Sequence, residues 1–267
     1  MNLIDIGINL THDSFDHDRP VLIARARAAG VAGFIITGTD VAGSRDALRM
    51  AGGDPQFFST AGVHPHHAGG LDSEGMAALR ELLDDDRVVA VGECGLDFFR
   101  NFSPREEQRR AFEMQLDLAA ETGKPLFLHQ RDAHTELMQR LHARRNELAG
   151  GVVHCFTDGP VELADVIEAG FYVGITGWLC DERRGQALRD AVRELPLDRF
   201  MVETDAPYLL PRDLPESLRA EAGRRNEPRF LPHIVAHLAT LTGREPVEIA
   251  RFATENARRL FRLPAEG

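Results

Sequence analysis

Glu93 and His129 end short apolar runs, VVAVGEC (88–94) and PLFLH (125–129), His154 is carried within VVHCF (152–156), and Asp205 directly follows FMVET (200–204). Each alone has a plain structural reading. A single histidine at a strand end is usually hydrogen-bonded scaffold. Glu93 alone fits a buried acid paired with an arginine, and Asp205 before Ala-Pro fits a turn. Together they are carboxylates and imidazoles in one small volume, and such a set needs a cation to be stable. The four therefore predict a divalent metal site. His64, in GVHPHH, is a candidate outer ligand, phosphate contact or acid. Asp97 is read as orienting a ligand or shaping its loop, and Glu203 as facing either way. His66 and His67 are expected on a surface loop. His12, His17, His134, His142, His233 and His237 fall in helices or loops and are assigned no chemistry.

These positions need elements that bring them to one place. Eight apolar, β-branched runs recur: the four above and NLIDIGI (2–8), GFIITG (33–38), FFSTAGV (57–63) and FYVGIT (171–176). Each gap has room for a helix. The best marked begins at SPREEQ, where Ser103 reads as an N-cap, Pro104 suits the first helical turn and Glu106 is the partner in a capping box. Gly123 and Pro125 stop it. The runs are continuously apolar, the pattern of parallel strands buried on both faces. Eight strand–helix units in this length predict a closed (β/α)8 TIM barrel, an α/β fold of metal-dependent hydrolase type, as one domain over 1–267. An open doubly wound sheet would show a glycine-rich phosphate turn after the first strand, and GINLTHD is not one. In a barrel the active site lies at the C-terminal strand ends, where the candidate residues stand.

Bulk composition narrows the classes. The chain has 267 residues, is 43% hydrophobic and carries a formal charge of −11. Coating of nucleic acid by a basic surface is thereby disfavoured, while a cleft with local positive charge is compatible. No apolar run approaches the ~20 residues that span a bilayer, so no membrane association is expected. Cys94, Cys155 and Cys180 show no C-x-x-C pattern and fit reduced thiols in a cytoplasmic protein. Lys124 is the one lysine among 31 basic residues. It precedes the fifth strand, at the far end of the barrel. That removes Schiff-base aldolase chemistry, and Glu93 stands where some amidohydrolases carry a bridging carboxylated lysine.

The segments TAGVHPH, VGECGLDF, HQRDAH, HCFTDG, GITGW, ETDAPYLLPR and RRNEP, in this order, resemble the TatD family of metal-dependent deoxyribonucleases from about residue 3 to residue 262. DIGINLT and GWLCDERRG are similar to its enterobacterial members. The resemblance implies hydrolysis of DNA phosphodiesters, as a 3′→5′ exonuclease on single-stranded ends supported by Mg²⁺, with RNA as a further substrate. It places Glu93, His129, His154 and Asp205 on the family's metal positions and His64 on a pocket histidine. Most relatives carry His-x-His at the end of the first strand, where this chain has Gly7 and Asn9. Gly7 offers no ligand and Asn9 only an amide. One well-held metal is therefore expected, with a second that is weak or arrives with substrate. Two histidines favour Mn²⁺ or Zn²⁺ over Mg²⁺ on ligand softness.

In this reading Glu93 and Asp205 are catalytic with His64, Asp205 being the candidate base. Asn9, Arg212, Arg224 and Arg225 are candidate phosphate contacts, with Arg183 and Arg184 near the seventh strand. Pairing of these arginines with local acids such as Asp181, Glu182, Glu216 and Glu227 is the alternative. Trp178 is read as a base-stacking surface or a loop anchor. A monomer acting on DNA ends is expected. The rival functions are a metal-dependent amidohydrolase on a small amide or ester and a non-catalytic nucleic-acid-binding protein.

Overall fold

The computed structural model describes residues 1–264. The last positions of the expected 1–267 span, 265–267, lie outside the described residues. The strands are β1 (Leu3–Ile8), β2 (Val31–Ile36), β3 (Phe57–Ala61), β4 (Val88–Asp97), β5 (Leu126–Arg131), β6 (Gly151–Val153), β7 (Tyr172–Ile175) and β8 (Phe200–Val202). They form one sheet in the order β1 to β8, every adjacent pair parallel. Helices fill the gaps: α1 (Arg19–Ala28), α2 (Val41–Ala51), α3 (Ser73–Leu83), α4 (Arg105–Thr122), α5 (His134–Ala143), α6 (Pro160–Glu168) and α7 (Gln186–Ala191). After β8 come α8 (Glu216–Ala222), α9 (Leu231–Thr242) and α10 (Pro246–Phe261). The expected TIM-barrel architecture is present.

Alternation along the strands divides the core in two. One set of side chains packs outward against the helices. The other fills the barrel: Ile4 and Ile6 of β1, Ile35 of β2, Val89 of β4, Phe127 of β5 and Met201 of β8, with Leu260 and Phe261 of α10 in the same cluster. Phe127 is the top of this apolar plug, and its ring stacks on His154 at a centroid distance of 4.8 Å. The floor of the candidate site is thus hydrocarbon, which makes charge above it costly unless paired.

Closure of the barrel is polar. Asp205 N donates to Gly7 O (2.8 Å) and Asn9 N donates to Ala206 O (2.9 Å), joining the segment after β8 to the end of β1. Beneath them Asp5, fully buried, accepts from Thr204 N at 2.9 Å and pairs with the Thr204 hydroxyl.

The start of α4 differs from expectation. Pro104, not Ser103, is its N-cap residue, and no side chain caps it. Ser103 Oγ instead donates to His66 O (2.9 Å) and accepts from Gly69 N (3.2 Å). Glu106 pairs with Arg109. Gln108 ties the helix to β4, its amide nitrogen donating to Asp97 O and its oxygen accepting from Asp97 N. Gly123 ends α4 in the left-handed conformation, as its position suggests. No helix among the described residues is long and apolar enough to cross a membrane.

Burial pushes the Asp5 carboxyl from 3.8 up to about 7, against the hydrogen bonds from Thr204. An acid whose folded pKa is raised favours its protonated form in the fold. Its stabilising share is complete below the unfolded value and is lost as pH rises towards the folded one. We predict that Asp5→Asn, which mimics the protonated acid, gains stability relative to the parent between pH 4 and pH 7. The gain is on the order of 4 kcal/mol. Urea unfolding of both proteins across that range checks it; a constant difference would contradict it.

Candidate active site

A break in strand register aims the central residue. The β4–β5 pairing shifts between Gly92 and Cys94, so Glu93 stands at the irregularity and its N–H turns to Gly38 O at 2.8 Å. Bulges of this kind redirect a side chain. Gly92 has φ of 142°, and a Cβ there would meet Phe127 O at 2.2 Å, so only glycine fits this backbone.

Glu93 Oε1 is the point of convergence. His129 Nδ1 lies 3.0 Å from it, His154 Nε2 3.1 Å and His64 Nε2 3.4 Å. Burial alone would raise the Glu93 carboxyl. The charge of His154 and the hydrogen bonds from His129 and His154 outweigh burial and hold it well below its ordinary range. His154 is buried too, yet the carboxylates of Glu203 and Glu93 raise it well above the ordinary histidine value. For His129, Asp97 and Glu93 likewise overcome burial.

His64 behaves differently. Burial lowers its pKa to about 4, so it is neutral. Its Nδ1 accepts from His66 N at 3.0 Å, which leaves the ring proton on Nε2, the atom facing Glu93. His64 in this tautomer is a donor into the site.

Glu203, ambiguous in the sequence, points inward. Its Oε2 accepts from His154 Nδ1 at 3.0 Å and its Oε1 from Cys155 N at 2.5 Å. It sits between two glycines: a Cβ on Gly7 would lie 2.2 Å from Oε2, and one on Gly174 2.2 Å from Oε1. The first-strand position that could have carried a ligand is therefore the space in which Glu203 orients His154. Asp97 is the matching support for the other side. It takes His66 Nε2 at 2.8 Å and the N–H groups of Phe99 and Arg100.

Asp205 adopts a left-handed backbone, φ 53°, and its Oδ1 accepts from Asn9 Nδ2 at 3.0 Å. Burial pushes its carboxyl to about 7, opposed by His154 and assisted by Glu93 and Glu203. A divalent cation fits this donor set. His129 Nε2 is buried with Asp97 Oδ2 at 3.4 Å, and three further acids crowd around the histidines. The ligand atoms of His64, Glu93 and His129 lie within 4.8 Å of one another. His154 joins them through Glu93, and Asp205 lines the same cavity.

That cavity, of about 430 Å³, is lined by Asn9, His64, Glu93, His129, His154 and Asp205, and also by Thr11, His12, His66, His67, Arg131, Cys155 and Tyr208. Arg212, Arg224 and Arg225 do not line it. Arg225 is bound by Asp18, Glu227 and the Ser14 carbonyl. Arg212 lies 3.6 Å from Glu182, and Arg224 is exposed. The guanidinium in the lining is Arg131, to which sequence reasoning assigned nothing. It has no ion-pair partner among the described residues, and it stands 5.1 Å over Trp178 and 5.4 Å over Phe99. A signal was present: Arg131 follows His129 by two on β5, which puts both side chains on one face of the strand. His66 and His67, expected on a surface loop, also reach the cavity. Cys155 borders it as an unreactive thiol, raised by burial to about 12.

The family model described as TatD related DNase matches residues 4–262. A protein named 3′-5′ ssDNA/RNA exonuclease TatD from Musicola paradisiaca is 49% identical over 99% of this chain and 100% of its own length. Another of that name from Pantoea vagans is 51% identical over 98% of this chain and 100% of its own. Among solved structures, the TatD homologue YJJV of Escherichia coli K12 superposes with a TM-score of 0.90 at 28% identity, covering 98% of this chain and 99% of that one.

Removing the support of His154 should disable the centre without emptying it. Glu203→Gln is expected to lower divalent-metal affinity or kcat/KM by roughly 10–100-fold. Gly7→Ala should act in the same direction, because its Cβ displaces Glu203. Calorimetric metal titration of both variants checks this; parental affinity and activity in both would contradict it.

Proposed function

We propose that this chain, which belongs to the TatD related DNase family, is a metal-dependent exonuclease that shortens single-stranded DNA and RNA from the 3′ end. The observation that carries the reading is one cavity holding both the Glu93-centred cluster and the unpaired Arg131. Relatives about half identical over their full length bear the name of a 3′-5′ ssDNA/RNA exonuclease, which supports the same polarity and substrate. In this reading the barrel is one catalytic domain, cytoplasmic and monomeric. Its free cysteines are consistent with that compartment.

Glu93, His129, His154 and Asp205 would hold the divalent cation. The resemblance favours Mg²⁺, and the two imidazoles favour Mn²⁺ or Zn²⁺. When bound, the cation supplies Lewis acidity towards the scissile phosphate and makes water a better nucleophile. The protein groups do the rest. Asp205, with one oxygen held by Asn9, accepts the proton of the attacking water. His64 Nε2–H donates to a phosphate oxygen; being neutral, it is a contact rather than a proton source. Arg131 offers its planar guanidinium to the phosphate.

The mouth carries exposed aromatic surface. Tyr208 lines the cavity and is 53% exposed. Phe102, 69% exposed, packs on His66, and Phe99, 56% exposed, lies under Arg131. Exposed rings of this kind stack on bases irrespective of sequence, each worth about 1–3 kcal/mol. They suit a frayed strand end better than a small amide.

The test is metal-stripped protein with 5′-labelled single-stranded DNA, each divalent ion restored in turn. Metal-dependent shortening from the 3′ end is expected in the parent, with a loss of at least ~10³-fold in Glu93→Gln. A folded protein that cleaves a phosphate-free amide and leaves DNA intact would overturn the reading in favour of an amidohydrolase. Arg131→Ala is expected to raise KM roughly 10-fold and to flatten the salt dependence of strand binding by about 0.7 in log–log slope. An unchanged slope would remove Arg131 from the phosphate path.

A further inference from the structure

A second group of metal-binding side chains lies away from the cavity. Cys180 ends the 3-10 turn Gly177–Cys180 that follows β7. Asp213 belongs to the loop between β8 and α8. His233 and His237 stand one turn apart on α9, the i, i+4 spacing that puts two imidazoles on one helical face. Asp213 joins them: its Oδ1 accepts from His233 Nε2 at 2.8 Å, and its Oδ2 lies 3.0 Å from His237 Nδ1. The candidate ligand atoms of Cys180, Asp213 and His237 all lie within 4.8 Å of one another. None of these residues lines the candidate active site.

We propose that Cys180, Asp213 and His237 form a second metal site, selective for Zn²⁺ or a similarly soft divalent ion, with His233 holding the Asp213 carboxylate in place. The donor set is one sulfur, one nitrogen and one oxygen, which suits zinc and disfavours Mg²⁺. Zinc bonds of about 2.0–2.3 Å place the ligand atoms of one tetrahedral ion roughly 3.3–3.8 Å apart. Small side-chain rotations bring this group to that spacing. A hydrogen bond from an imidazole to the second oxygen is the usual support for a ligating carboxylate. Thiolate and carboxylate together balance a doubly charged ion, and the thiol proton passes to solvent on binding. Burial, together with Asp213, holds the Cys180 thiol well above its ordinary value, so without metal it stays protonated and unreactive. With three protein ligands, the fourth position is left for water.

The site ties three separate segments together: the turn after β7, the loop after β8 and the face of α9. The loop after β8 begins beside Asp205 and carries Tyr208. Zinc at this position therefore braces one wall of the mouth without touching the cavity. The inference does not depend on the nuclease reading.

Cobalt(II) is the probe. The full chain, stripped of metal and titrated with Co²⁺, should develop a thiolate-to-cobalt charge-transfer absorption. The band should be lost in Cys180→Ser and in His237→Ala, and kept in Glu93→Gln. His237 is partly exposed, so its replacement tests the site without opening the core. Zinc retained after dialysis should fall by one equivalent in His237→Ala, and the upward shift of Tm on adding Zn²⁺ should shrink in the same variant. Absence of the band in the parent, or its persistence in Cys180→Ser, overturns the proposal. Loss of nuclease activity in Glu93→Gln with the band intact separates this site from the catalytic one.

Discussion

Three imidazoles meet one carboxylate oxygen, Glu93 Oε1, above a floor of hydrocarbon. The rest of the barrel mouth answers to that meeting. A buried carboxylate in an apolar barrel is unstable alone, and so is a buried imidazolium. Each is held here because the other is near, and each needs a further partner behind it. Glu203 stands behind His154 and Asp97 stands behind His129. His64 is fixed through its Nδ1 by the backbone of its own loop. Without metal the cluster has two charged, supported histidines and one neutral donor, and a bound cation would displace the ring protons of His129 and His154. Those are different chemical tools from one residue type, separated by environment alone.

The same constraint explains the unusual end of β1. Where the resemblance implies a His-x-His pair of ligands, this chain has Gly7 and Asn9. In the structure Gly7 is not merely a missing ligand. Its absent side chain is the space for the Glu203 carboxylate, and the strand backbone beside it closes the barrel through Asp205 and Asn9. Orientation of His154 has been built where a ligand could have been. Asn9 then serves Asp205 with its amide nitrogen, so the end of β1 shapes the site through hydrogen bonds.

Much of this was legible in the sequence for a simple reason. A (β/α)8 barrel concentrates chemistry at the C-terminal strand ends, so eight apolar runs and the polar residues after them give both the fold and the neighbourhood of Glu93, His129, His154 and Asp205. What stayed hidden depends on contacts across the fold. Arg225 looks like a phosphate contact in the loop after β8 until Asp18, 207 residues away, is found against it. Glu203 could face either way until Gly7 and Gly174 are seen to leave it room. Ser103 has the right type and place for a helix cap, but the loop of His66 uses it first. Arg131 was legible in principle, since strand alternation puts it on the same face of β5 as His129, but a lone arginine inside a strand carries no cluster signal like the loop arginines do.

In this reading Glu93, with His129 and His154, is the seat of a divalent cation. Anomalous X-ray diffraction from crystals soaked in Mn²⁺ tests it directly. A peak is expected within bonding distance of Glu93 and His129, with the Nε2 of His64 outside the coordination sphere. A folded, Mn²⁺-soaked crystal with no peak beside Glu93, or with His64 Nε2 bonded to the ion, would contradict it.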